Sequence, residues 1–164
     1  MAREGPFILD TGDAFPALTM ETVSHGRVSL PGGFGDGWGV FLVYRAHWWP
    51  YCKQQLAAFA RAQEKLQAEG ITTVAASTDP LERAKATVAE QGLTVAVGYG
   101  LPLKDTARAL GSFYDPERGV LHATGFVIRP DRRVAVAQYS SGPIGRLVWQ
   151  DVVGLVQFYK NQAR

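Results

Sequence analysis

Between Gly39 and Ala76 the chain switches from one hydrophobic period to another and back, and this restricts its fold more than any other feature. Gly39-Val40-Phe41-Leu42-Val43-Tyr44 is a continuous apolar run of β-favouring residues, as expected of a strand covered on both faces. From Pro50 the pattern changes. Cys52, Leu56, Phe59, Ala62 and Leu66 recur at spacings of four, three, three and four, with Lys53, Arg61, Glu64 and Lys65 between them, which predicts one face of an amphipathic helix. Gly70 can adopt positive φ and stop that helix, and Ile71 to Ala76 supplies a second strand. The product is a strand, helix, strand unit around a central strand.

The alternation continues downstream. Asp79 is placed to cap a helix beginning at Pro80, with Glu82 three residues after the cap. That helix runs to about Gln91, Gly92 interrupts it, and Leu93 to Val97 is a third extended segment. A short helix is predicted over Leu103 to Leu110, then a turn at Asp115-Pro116-Glu117-Arg118-Gly119. His122 to Ile128 and Arg133 to Tyr139 flank a connection of hairpin length and should pair antiparallel. Val148, Val152, Leu155 and Tyr159 share a helical face that closes the chain, with Arg146 in the first turn of that helix. The glycine- and proline-containing stretch from Asp10 to Gly37 reads as a loop or hairpin laid over one edge. These elements predict an α/β chain with a central mixed sheet flanked by helices. With 164 residues and no internal repeat they form one domain over 1–164, of a size that buries roughly 70% of its unfolded surface.

Charge and composition remove several classes of function. Lys and Arg number 17 against 15 Asp and Glu, and no basic run is present to follow a phosphate backbone, so nucleic acid is not an expected partner. No stretch approaches bilayer length, and Met1 to Pro6 lacks the apolar core of a secretory signal, so no membrane partner and a cytoplasmic location are expected. The glycines from Gly32 to Gly39 are not followed by Gly-Lys-Ser or Gly-Lys-Thr, which argues against a phosphate loop. His25, His47 and His122 are dispersed, so neither a metal nor another cofactor is expected.

One cysteine permits no intramolecular disulfide, which leaves Cys52 as a packing residue or a reactive thiol. In the first helical turn it would meet unpaired backbone N–H groups and the positive end of the helix dipole, which favour a thiolate. Arg45 at the preceding strand end and Lys53 beside the cysteine are candidate sources of further positive charge. Arg45 reads equally as a solvated strand end. His47 invites a cysteine–histidine dyad, although a side chain at a strand end need not face the helix start. Trp48 and Trp49 read as packing residues that also shield the thiol.

The segment Tyr44-Arg45-Ala46-His47-Trp48-Trp49-Pro50-Tyr51-Cys52-Lys53-Gln54-Gln55-Leu56 resembles the active-site segment of the peroxiredoxin-like branch of the alkyl hydroperoxide reductase and thiol-specific antioxidant family, which has a thioredoxin-like fold. Gly12-Asp13-Ala14-Phe15-Pro16, Ser77-Thr78-Asp79 and Gly142-Pro143-Ile144-Gly145-Arg146 are similar to shorter stretches of that family. The usual branch form is Trp-Cys-Pro-Tyr-Cys, so Trp49 stands in place of its first cysteine and Cys52 at the peroxidatic position. Typical members carry Pro-x-x-x-Thr-x-x-Cys, whereas here Arg45 replaces the proline and Trp49 the threonine. An indole N–H donates but cannot accept, so Trp49 replaces only half of a hydroxyl's function. Many members place a second arginine before a glycine on the later strand, where this chain has Thr124 before Gly125.

The resemblance implies a one-cysteine peroxidase with Cys52, Arg146, Arg45 and Trp49 in its site. Its substrate would be hydrogen peroxide or a small organic hydroperoxide, and an external thiol or thiol protein would be its reductant. A homodimer is also implied. Two other readings stand beside this one: a redoxin-fold binding or sensing module without catalysis, and a monothiol disulfide reductase.

Overall fold

The computed structural model describes residues 2–163; Met1 and Arg164, the outermost residues of the expected domain, lie outside the described residues. In chain order the first strands are β1 (Leu18–Glu21), β2 (Arg27–Leu30) and β3 (Trp38–Val43). Then come α1 (Pro50–Arg61), α2 (Gln63–Ala68), β4 (Ile71–Ala76), α3 (Leu81–Gln91), β5 (Ala96–Gly98) and α4 (Leu103–Leu110). The chain continues through β6 (Tyr114–Asp115), β7 (Val120–Leu121), β8 (Thr124–Ile128), β9 (Val134–Tyr139) and α5 (Trp149–Gln162). The main sheet has the order β5-β4-β3-β8-β9, with β3, β4 and β5 parallel and β8 and β9 antiparallel to their neighbours. This is the mixed, helix-flanked α/β sheet that the sequence pattern predicts.

All six residues of β3 are buried, because its two faces serve different cores. Val40 and Leu42 join Leu56, Phe59, Val152 and Val156 under α1 and α5. Phe41 and Val43 pack on the opposite face with Phe15, Leu110 and Phe126, where edge-to-face contacts of Phe15 with Phe34, Phe41 and Phe126 have centroid separations of 5.6–6.2 Å. The segment read as a loop or hairpin contains the β1–β2 hairpin, which sends Met20 and Leu30 into that second core.

Several expected boundaries shift for local reasons. The helix starting at Pro50 breaks at Ala62, where the Gln63 side chain donates to the Phe59 carbonyl at 3.1 Å and interferes with the backbone ladder. Asp79 does not cap α3: its Oδ2 accepts the His47 backbone N–H at 2.7 Å, and Pro80 takes the N-cap position, so the helix begins at Leu81. β5 begins at Ala96 rather than Leu93, because the Leu93 N–H is bonded to the Val88 carbonyl in the closing turn around Gly92, whose φ is +63°. The turn predicted at Asp115–Gly119 closes a small β6–β7 hairpin. α5 starts at Trp149 with Val148 as its N-cap, so Arg146 precedes the helix instead of lying in its first turn. No helix among the described residues is long and apolar enough to cross a membrane.

Candidate active site

β3 ends in the middle of the sheet, so the chain leaving it crosses the sheet's end before α1 begins. Trp49 is the extended N-cap residue of α1, and Pro50 occupies the first turn, where its missing N–H costs no helical bond. The Trp49 carbonyl accepts the Lys53 N–H at 3.1 Å and starts the helical ladder. Cys52 therefore sits in the first turn, as its spacing from Pro50 predicts. Its side chain turns back toward the strand, and Sγ accepts the Arg45 backbone N–H at 3.1 Å.

Arg146 reaches the same sulfur across 94 residues of sequence: its Nη2 donates to Cys52 Sγ at 3.1 Å and its Nη1 to the Pro143 carbonyl at 3.2 Å. The segment carrying it is fixed from several sides. Gln55 Nε2 donates to the Leu147 carbonyl at 2.9 Å, Gln138 Nε2 to the Gly145 carbonyl at 3.2 Å, and the Ser140 hydroxyl to the same carbonyl. Leu147 also lies directly over Gly125 of β8, where a Cβ would collide with its side chain. The glycine thus lets the segment approach the sheet closely enough for Arg146 to reach the thiol.

The Arg45 side chain is only 8% exposed, and its guanidinium lies 4.5 Å from the centre of a Trp49 ring. Burial, with the neighbouring Arg118 guanidinium, lowers its pKa. Trp49 directs its Nε1–H not to the sulfur but to the Pro143 carbonyl, at 3.2 Å. The four residues singled out in the sequence, Cys52, Arg146, Arg45 and Trp49, are thus brought together. Cys52 is fully buried beneath them, and the Nε groups of both Arg45 and Arg146 are buried without a partner among the described residues. The sulfur thus receives two N–H donors, with the two arginine side chains beside it.

His47 and Lys53 lie elsewhere. The His47 ring meets Thr87 Oγ1 at 2.9 Å and Glu90 at 3.8 Å on α3, and Lys53 pairs with the same Glu90 at 3.8 Å, so no cysteine–histidine dyad forms. Thr124, in the place of a second arginine, bonds the Ser112 hydroxyl and the His122 carbonyl, each at 3.0 Å.

Sequence reasoning missed two neighbours of Arg45. Asp115, identified only as a turn residue, faces the Arg45 Nη2 at 4.0 Å, and backbone N–H groups led by that of Arg118 hold its pKa low. His122 is buried with its Nδ1 unpartnered among the described residues, and burial lowers its pKa. Polarity at a turn was the only signal for Asp115, and dispersion from the other histidines hid His122.

Beside Arg146, between α1 and the segment entering α5, lies a cleft of ≈ 380 Å³ lined by Tyr51, Gln55, Phe59, Leu147 and Trp149 among others. Trp48, Tyr51, Ile144 and Val148 are exposed around this part of the surface. Among the described residues no three His, Cys, Asp or Glu side chains gather as metal ligands.

The model of the AhpC/TSA family matches residues 11–137, a span that includes Arg45, Trp49 and Cys52 and stops before Arg146. A 1-Cys peroxiredoxin from Zea mays is 27% identical over 74 residues, 45% of this chain and 32% of that relative, so the match spans about a third of the relative's length. Peroxiredoxin 6 of Arenicola marina superposes with a TM-score of 0.81 at 15% identity, covering 95% of this chain and 76% of that one. A peroxiredoxin-like protein from Aquifex aeolicus gives 0.77 at 20% identity, covering 94% and 89%. At these identities the structural likeness establishes the thioredoxin-like peroxiredoxin fold.

Proposed function

Because the chain belongs to the AhpC/TSA family, we propose that it is a thiol-dependent peroxidase of one-cysteine type, reducing hydrogen peroxide or small organic hydroperoxides through Cys52. One observation carries this reading: Cys52 Sγ lies in the first turn of α1 and accepts N–H donors from Arg45 and Arg146, each at 3.1 Å. The thiolate attacks the terminal peroxide oxygen, so an S–O bond forms as the O–O bond breaks. Sulfur gives up two electrons and becomes a sulfenic acid; the departing oxygen leaves as hydroxide or alkoxide and takes a proton from water. Arg146 and Arg45 stabilise the charge that develops on the oxygens, and Trp49 holds Arg45 and the Pro143 segment in place.

The sequence has no second cysteine, so an external thiol or thiol protein condenses with the sulfenic acid and releases water. A second thiol equivalent then displaces Cys52 from the mixed disulfide. We place the reaction in the cytoplasm, in a single-domain chain that pairs as a homodimer.

The rival reading, a redoxin-fold module without catalysis, draws on the full burial of Cys52. Stoichiometric hydrogen peroxide with a sulfenic-acid trap separates the two. Rapid trapping on wild type, with no label on Cys52→Ser, is expected. An unlabelled wild-type protein would refute the peroxidase reading.

A further inference from the structure

The Arg45 guanidinium is buried at a position where family resemblance calls for proline, among charges of both signs. Arg118 and Arg146 both act on it unfavourably through their charge. Asp115 is the carboxylate facing it, at 4.0 Å. The two oxygens of Asp115 have separate tasks. Oδ1 accepts the N–H groups of Glu117 and Arg118 at 3.0 and 3.1 Å, which is sufficient to close the β6–β7 turn. Oδ2 is not used by the turn and faces Arg45 Nη2 at 4.0 Å and Arg118 Nε at 3.9 Å.

These contacts form a closed circuit. Arg45 lies over Trp49, Trp49 meets Trp48 edge to face with centroids 5.6 Å apart, Arg118 lies 5.8 Å from a Trp48 ring centre, and Arg118 returns to Asp115. The circuit joins the β6–β7 turn to the chain segment that carries Cys52. Within it, the Arg45 Nε is buried and has no partner among the described residues.

We infer that Asp115 is a positioning residue for peroxide reduction, holding the Arg45 guanidinium over Trp49 so that its free Nε–H serves the reacting oxygens beside Cys52. The inference rests on the peroxidase reading and assigns no contact between Asp115 and the peroxide. A buried guanidinium that loses its counter-charge is driven toward water, and the donor leaves with it.

The test is single-turnover oxidation of the full chain by hydrogen peroxide, followed with a sulfenic-acid trap. Asp115→Asn keeps an oxygen for the turn and removes the charge; its rate constant should fall about tenfold, within the usual range for coupled neighbours. Asp115→Glu, which restores the charge, should return the rate to within about threefold of wild type. In an Arg45→Met background, Asp115→Asn should change the rate by less than about twofold, because the guanidinium through which it acts is gone. Asp115→Ser, which keeps a hydroxyl acceptor for the turn, substitutes for the asparagine variant if that one unfolds, with the same loss expected. A wild-type rate in Asp115→Asn, or an equal loss in both backgrounds, would overturn the positioning role and leave the peroxidase reading standing. Absence of oxidation in wild type would overturn both.

Discussion

Two helices in this protein begin after neighbouring parallel strands, and they use their buried polar groups in opposite ways. At the β4–α3 junction Asp79, Ser77 and His47 are engaged with one another and with α3: Asp79 Oδ2 accepts the His47 N–H at 2.7 Å, the Asp79 N–H donates to Ser77 Oγ at 3.1 Å, and the His47 ring is held by Thr87. At the β3–α1 junction the Nε groups of Arg45 and Arg146 are buried with no partner among the described residues, beside a fully buried thiol. The first junction fixes where the loop from Ala46 to Trp49 lies. The second keeps donors free at the end of that loop. Unpartnered buried donors cost stability, and two of them flank the thiol.

Substitutions on the two sides test that division. The largest effect is expected at Arg146: Arg146→Met removes a donor to the sulfur, and the rate constant for Cys52 oxidation should drop about 100-fold, as when one donor is lost from a charge-stabilising site. Its thermal midpoint should scarcely change, since the group removed is partly unsatisfied. A rate within a few-fold of wild type would show that the two junctions do not differ in the way described.

Gly125→Ala comes next, because it connects the two effects. The added methyl would strike Leu147 and push the Arg146 segment outward, so stability should fall by roughly 1–3 kcal/mol while oxidation slows by about tenfold. A loss of stability with an unchanged rate would show that Leu147 does not fix Arg146.

The smallest change in rate is expected at Asp79, where Asp79→Asn should leave oxidation within about twofold of wild type. Its signature lies in pH. Burial raises the Asp79 pKa, so the folded state holds that proton more tightly than the unfolded chain. Wild type therefore gains stability from this group as pH falls through the raised value, and the asparagine variant does not. The stability difference between them should move in favour of wild type on acidification, measured by urea unfolding at neutral and mildly acidic pH. A difference independent of pH would remove burial of the carboxylate as its cause.

The alternation from Gly39 to Ala76 made the sheet legible, because a covered strand and an amphipathic helix each need a hydrophobic period that the other cannot use. Boundaries were less legible wherever a side chain took part in a distant bond. Asp79 has the composition of a helix cap, yet its oxygen goes to His47, 32 residues earlier. The Arg146 stretch reads as the start of a helix, yet Ser140, Gln138, Gln55 and Leu147 hold it in a non-helical path beside the thiol.

The sequence by itself determined that one cysteine begins a helix after a covered strand, since Pro50, Cys52 and the spacing of Leu56 and Phe59 fix that register locally. Only the tertiary structure decided which charges surround the sulfur. It brought Arg146 to Sγ, placed Arg45 over Trp49 and opposite Asp115, and sent His47 and Lys53 to Glu90. Helical register follows from neighbours in the chain. Charge placement depends on which segments the packed sheet brings within a few ångströms of one another, and no local pattern encodes that.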